Sequence, residues 1–506
     1  MFLYSRKKAS VINLLFNYGN VLFSLVNGLI LLPLYLQYFS LSTYGSYLSF
    51  GSIVVVLGFL EGGISFILTQ KMSHEHIAGN SKSVSVILGS GLFLSFLIGV
   101  LIIILGLSLY PFISDWVKAE PLEHQNIQIA FLLSILAASI GIFYSSMSSV
   151  FQVWLKVHIP GFTNILAIIS GILATILALM MGKGVVSISM GVLVKTVFGS
   201  VVLLFFLYRE LVRAQYPKLQ VCKETCLMLV KTMLPFLAGN VAKSVVTNSQ
   251  LLIITIFINP VMTAIFSLTN RIYLLCESML APVSSSIFAS ISQIFASGEI
   301  GKLKKSFTDV LLIFSVFATI ILLTCFVMNE AFINMLLEKG KFGGEILSLL
   351  LCVSMFFLSR VNFFMTNLYA FGVFGKTVFY DVCSSIVKCI FIFLLIHYVG
   401  YLAIPISEIL ASLFLLVFAI NNIVSNRLRM NTKETRTNLF IGIRSFSVAF
   451  FVALGMYHML PIINDWTSFG LIGFMVFGVI TSVLYLLFPE LRSIFKRLIF
   501  VKLMNK

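Results

Sequence analysis

The chain has 506 residues, of which 59% are hydrophobic and 10% charged, with 49 Phe and a mean hydropathy of +1.06. An ordinary soluble domain carries about 25% charged residues, so this composition cannot clothe a water-soluble surface, and the same apolar excess rules out a disordered chain. The chain is a membrane protein without a large soluble domain, and its net charge of +16 has to be read against membrane topology before it is read as affinity for nucleic acid.

A membrane-crossing helix needs about 20 mainly apolar residues. Apolar runs bounded by charge, proline or polar clusters predict spans over residues 12–38, 43–70, 84–114, 125–154, 161–181, 187–208, 227–257, 261–295, 306–328, 344–371, 377–396, 403–424, 438–461 and 468–488, fourteen in all. Arg6, Lys7 and Lys8 lead into the first run with no small-residue cleavage site, so that run reads as a span and not as a secretory signal. The seventh and eighth runs are separated only by Asn259–Pro260. With both termini inside, 23 of the 34 Lys and Arg fall in inner segments, 4 in outer loops and 7 within spans. Lys and Arg collect on the cytoplasmic side of membrane proteins. The basic excess is therefore a topology signal, and it predicts a multi-pass membrane protein with cytoplasmic termini.

The predicted outer loops are short and carry no paired carboxylates, which argues against a membrane polymerase or ligase. No GxxxxGK[ST] loop and no HExxH pattern occurs, so nothing points to an ATPase or a catalytic metal. Cys222 and Cys226 stand four apart without a second Cys or His pair, and the seven cysteines read as reduced thiols.

Several spans carry polar stripes that cannot face lipid. Asn13, Asn17, Asn20, Ser24 and Asn27 recur at helical spacing in the first span. Asn240, Lys243, Thr247 and Gln250 do so in the seventh, and Thr263, Ser267, Asn270 and Glu277 in the eighth, with Arg271 about 100° from Asn270. Asp381, Ser385 and Lys388 form a shorter stripe in the eleventh. Lys231 and Arg444 lie near span ends, where they can snorkel. Lys195, Lys243, Arg271, Arg360 and Lys388 lie deeper. Each central cation costs about 2.5–3.5 kcal/mol to insert. The deep acids are Glu61, Glu277 and Glu408, too few to match them. Two readings stay open. One is a hydrated cationic cavity, with cations from at least four spans, that receives a multiply charged anion such as a diphosphate. The other is a set of internal ion pairs, Arg271 with Glu277 or Glu61 and Lys388 with Asp381.

The stretch NYGNVLFSLVNGLILLPLYLQYFSLSTYGSYLSF (Asn17–Phe50) puts a polar-striped helix before Leu32–Pro33 and a Tyr44–Gly45 start to the second helix. FLEGG (Phe59–Gly63) and SFILTQKMSHE (Ser65–Glu75) follow, and SLTNRIYLLCESMLAPVSSSIFASIS (Ser267–Ser292) fills the eighth span. Together these resemble the polysaccharide-transport branch of the multidrug/oligosaccharidyl-lipid/polysaccharide exporter superfamily, in particular the Wzx-type flippases of O-antigen or capsule units. The resemblance implies an all-α polytopic protein with two six-helix lobes, here about 1–215 and 216–425, and two extra helices with a basic tail at about 426–506. It implies a non-enzymatic flippase. Its lobes rock around a central cavity and move undecaprenyl-diphosphate-linked oligosaccharides from the inner to the outer leaflet of the bacterial cytoplasmic (inner) membrane. It places the head group against Lys243, Arg271, Arg360 and Lys388, with Asn240, Asn270, Asn17, Asn20 and Asn27 as polar lining. Glu61 and Glu277 become coupling or gating residues, with H+ or Na+ as the coupling ion and no other cofactor. A polysaccharide polymerase and a chain-length regulator are the implied protein partners. A multidrug exporter of the same superfamily, or another ion-coupled secondary transporter, is the alternative.

Overall fold

The structure is a computed structural model that describes residues 19, 31–213, 215–296, 299–337, 340–370, 374–420, 432–461, 463, 465–488 and 492. These residues are almost wholly helical, and no strand occurs among them. Residues 19 and 31–38 are helical, and the rest of the first expected span lies outside the described residues. The helices that follow are α1 (Leu41–Gly58), α2 (Ile64–Ile77), α3 (Ser81–Leu109), α4 (His124–Val153), α5 (His158–Met180), α6 (Val186–Arg213), α7 (Lys223–Asn248), α8 (Gln250–Phe257), α9 (Pro260–Ala296), α10 (Ile300–Leu336), α11 (Glu345–Ala370), α12 (Phe374–Val399), α13 (Ala403–Phe414), α14 (Thr432–Met459) and α15 (Trp466–Leu487). Among the described residues, nine segments are long and apolar enough to cross a membrane. Among the described residues every expected span after the first is mainly helical. The split at Asn259–Pro260 is present, and the seventh expected span has a further break at Ser249, between α7 and α8.

Helix starts follow from local chemistry. Ser40 Oγ accepts the amide of Thr43 at 3.0 Å, and Asn80 Oδ1 accepts that of Ser83 at 3.2 Å. Asp465 does the same for Ser468 at 2.8 Å. Each side chain satisfies an orphan donor in a first helical turn.

The chain forms two compact units, Met1–Ala264 and Ile265–Lys506. In the first, α6 packs on α4 and α5, α4 also meets α1, α2 and α3, and α8 lies on α1. Phe50, Phe131 and Phe151 are completely enclosed at its centre. Small hydroxyls join the helices. Ser95 and Ser146 (2.7 Å) link α3 to α4, Ser134 and Ser189 (2.9 Å) link α4 to α6, and Ser49 bonds Thr255 between α1 and α8. Such interhelical bonds contribute about 0.6 kcal/mol each on average in a membrane.

α7 and α8 pack within the first unit. Hydrogen bonds to serine hydroxyls hold them there. The amide of Cys222 donates to Ser90 Oγ at 3.1 Å, and Thr255 on α8 bonds Ser49 on α1.

In the second unit α10 is central and packs on α11, α14 and α15, while α12 and α13 form a tight hairpin through Gly400–Leu402. Stacked rings bind α14 to its neighbours, with Phe356–Phe446 at 4.0 Å and Phe326–Tyr457 at 5.4 Å between centroids. The outer face of α15 leaves Leu471, Phe474 and Leu486 exposed, as a lipid-facing helix should.

Candidate functional site: a broken span and a buried charge seam

The second expected span is not one helix. α1 stops at Gly58, a single 3₁₀ turn covers Phe59–Glu61, and α2 starts at Ile64. Between them Gly62 (φ 60°) and Gly63 (φ 69°) are both left-handed. Two consecutive left-handed residues are strained for any side chain with a Cβ and routine only for glycine. At Gly62 there is a second reason, because a Cβ there would lie 2.8 Å from Leu237 Cγ on α7. Backbone groups freed inside a membrane have to be satisfied by protein or water. Here the amide of Gly62 turns back to Phe59 O at 3.0 Å, and Ile67 N reaches Gly63 O at 3.0 Å.

Glu61 sits at this break. Its Oε1 accepts the hydroxyls of Ser65 on α2 (2.6 Å) and Ser145 on α4 (3.0 Å). Beside it is a cleft of about 380 Å³ lined by Val55, Phe59, Glu61, Ser65, Phe66 and Leu237. Glu61 and Ser65 are the polar side chains of this lining, on a span already interrupted. The Gly62–Gly63 pair and Glu61 are visible in sequence, whereas Ser145 gives no signal there, since it is one serine among several on α4.

The second unit gathers most of the other candidates. On α9, Asn270 Oδ1 is buried with no hydrogen-bond donor to it among the described residues, and Arg271 is half-buried. Glu277 accepts from Asn362 Nδ2 on α11 at 3.3 Å. Above it, Tyr273 Oη bonds Ser348 Oγ (2.7 Å), and Asn329 Nδ2 donates to Thr269 O (3.1 Å) and Ser348 Oγ (3.0 Å). This polar seam joins α9, α10 and α11.

Arg360 is fully enclosed. Its Nη1 donates to Ser315 Oγ on α10 at 2.5 Å, and its guanidinium lies over Phe356 (5.7 Å) and Phe364 (5.9 Å). Gly442 on α14 makes the room, since a Cβ there would overlap Nη1 and lie 2.5 Å from Ser315 Oγ. This guanidinium packs inside the second unit. Lys388 forms a close ion pair with Glu408 between α12 and α13, with side-chain exposures of 6% and 17%. The expected partner Asp381 instead accepts Ser384 and Ser385 through its carbonyl, both at 2.9 Å.

Asn240 and Lys243 lie on α7, and Asn17, Asn20 and Asn27 lie outside the described residues. Lys195 on α6 is half-buried beside Gly171 of α5. The seven cysteines are free thiols.

A family model described as "Lipid II flippase MurJ" matches residues 58–481. No curated protein matches the sequence significantly. Among solved structures, an inward-facing multidrug resistance MATE family transporter of the MOP superfamily superposes with a TM-score of 0.62 at 14% identity, covering 84% of this chain and 99% of that one. A lipid II flippase MurJ in an inward closed conformation gives 0.61 at 13% identity, over 89% and 99%. A Vibrio cholerae MATE transporter gives 0.55 at 15% identity, over 85% and 99%. At these identities the superpositions establish the fold, a polytopic all-α transporter fold.

Proposed function

The chain belongs to the lipid II flippase MurJ family, and from that premise we propose that it carries an undecaprenyl-diphosphate-linked saccharide from the inner to the outer leaflet of a bacterial cytoplasmic membrane. The match over residues 58–481 carries the reading, because it spans both compact units. A lipid II unit and an O-antigen or capsule repeat share the polyprenyl diphosphate and differ in the sugars. The diphosphate is the chemistry the protein has to meet first.

Unassisted flipping drags that charged head through about 30 Å of hydrocarbon. A protein-lined path removes the cost if cations face the phosphates. In this reading Arg271 and Lys243 serve the diphosphate. The charges of Arg360 and Lys388 are engaged within the second unit, so their part is to hold the helices. Asn240 and Asn270, with Asn17, Asn20 and Asn27, offer amides to sugar hydroxyls. Glu61 is the gating or coupling acid, poised at a pivot, and H+ or Na+ is its ion. Glu277, already accepting from Asn362, plays the corresponding part in the second unit. A polymerase and a chain-length regulator would act on the product outside.

Deletion of the gene with analysis of lipid-linked sugars tests the reading. Undecaprenyl-linked units should accumulate on the inner leaflet, and Glu61→Gln, at equal protein level, should slow their outward movement. Normal lipid-linked sugars together with new drug sensitivity would overturn it in favour of multidrug export.

A further inference from the structure

The connection from α6 to α7, residues 215–222, is tied down at two places, both within the first unit. α6 closes in a Schellman pattern, with Gln215 N donating to Val212 O at 3.1 Å and Tyr216 N to Leu211 O at 3.0 Å. Gln215 takes the left-handed conformation (φ 52°) that such a close usually gives to glycine, so the turn is held at a cost. It delivers Tyr216 to α4 and α2. Tyr216 Oη accepts from Nε1 of Trp154, just past α4, at 3.2 Å, and lies 3.0 Å from Nδ1 of His76 on α2. An indole N–H can only donate, so the tyrosine's own proton is left for the imidazole. The Tyr216 ring also packs on that of Trp154, with centroids 5.6 Å apart. Further on, the chain presses against α3. A Cβ on Gly89 would lie 2.5 Å from Gln220 O, so the backbones meet only because this residue is glycine. Cys222 N donates to Ser90 Oγ at 3.1 Å, and Cys226 Sγ donates to Ser90 O at 3.9 Å. Residues 217–221 between the ties are exposed, whereas Tyr216 and Cys222 are half-buried.

We propose that residues 215–222 are a strap that holds the start of α7 on α3, with the Tyr216 hydroxyl as its clasp. That one oxygen joins α2, the end of α4 and the α6–α7 connection, which are far apart in sequence. The strap has few contacts of its own, whereas Leu229 and Met233 farther along α7 are buried in the core of the first unit. The strap therefore opens locally, without unfolding the helices on either side. How often the start of α7 leaves α3 is set by the clasp, whatever the cargo.

Limited trypsin digestion of the purified full chain in detergent, with the cut sites mapped by mass spectrometry, tests this. Lys218 in the strap and Lys223 at the start of α7 are exposed, but cutting there needs the local backbone to open, so the rates follow the open population. Lys183, exposed in the α5–α6 connection of the same unit, is the internal reference. Y216F removes the hydroxyl and keeps the ring. It should speed cleavage after Lys218 and Lys223 about tenfold, as the loss of two hydrogen bonds, and leave cleavage after Lys183 unchanged. Y216A, which also gives up the ring contact with Trp154, should be faster again. G89A, with the clasp intact, should speed cleavage after Lys218 by pushing the strap off α3. Tyr208→Phe, on an exposed tyrosine of α6, should match the wild type. Unchanged rates at Lys218 and Lys223 in Y216F would overturn the clasp. A Lys183 rate that rises in step would overturn it too, because the whole unit would then have loosened. No transport is read, so failure of the strap is separable from failure of the flippase reading.

Discussion

Gly62→Ala is the sharpest perturbation of the broken span. A left-handed φ costs an L residue about 1–2 kcal/mol. Gly62 has φ 60°, and a Cβ there would lie 2.8 Å from Leu237 Cγ and 3.1 Å from both its Cδ atoms. Moving Leu237 off its rotamer adds about 0.5–1.5 kcal/mol. The variant should therefore lose about 2–3 kcal/mol as long as the break persists. Alanine also favours continuous helix over glycine by about 1 kcal/mol, which opposes the break again. Gly58 is the internal control. It has right-handed φ and ψ (−60°, −29°) and open space where a Cβ would point. Gly58→Ala should be neutral or stabilise by up to about 1 kcal/mol. Thermal melts in detergent should rank Gly58→Ala at or above wild type and Gly62→Ala well below it. Adding Leu237→Ala should return the steric share but not the backbone share. If Gly62→Ala melts with Gly58→Ala, the left-handed break is not the structure of this span, and the pivot argument for Glu61 falls with it.

Gly442→Ala should destabilise the second unit by about 1–3 kcal/mol through overpacking against Arg360, visible as a lower melting temperature, whereas the open position Gly455 should accept Ala without loss. Lys388→Met should cost about 3–5 kcal/mol by leaving the Glu408 carboxylate buried without its cation. The double variant Lys388→Met with Glu408→Leu should recover most of that, and a double-mutant cycle lacking this coupling would refute the pair. Asp465, outside the membrane-crossing segment, has its pKa lowered to about 2 by hydrogen bonds from Thr467 and Ser468. A depressed carboxylate pKa stabilises the folded state above the ordinary value of 3.8, and that stabilisation disappears as pH falls through about 2. The melting-temperature gap between wild type and Asp465→Ala should thus be constant at neutral pH and close in strong acid; a gap independent of pH would contradict the assigned capping role.

The fold was legible because crossing a membrane forces long apolar runs, and each later run became helix. Breaks were legible only where the residue itself carries the signal. Gly62–Gly63 and Pro260 do. Ser249 does not, because its turn is imposed by the packing of α8 on α1. Acids and bases in the spans were legible as residues but not as partners. Lys388 could be matched to Asp381 by spacing along one helix, yet Glu408 on α13 holds it, and no pattern within a single helix reports which face a neighbour presents. Arg360 taught the same point, since Ser315 and Gly442, which enclose it, are far from it in sequence and unremarkable alone.

A span made of two short rods behaves mechanically like a shaft with a universal joint. α1 and α2 can each keep all their internal ladder bonds while the angle between them changes, so reorientation need not melt any turn of helix. Glu61 pins this joint twice, to Ser145 on α4 and to Ser65 on α2, so a change of its angle has to release both hydroxyls as well as the packing of the two rods on α4.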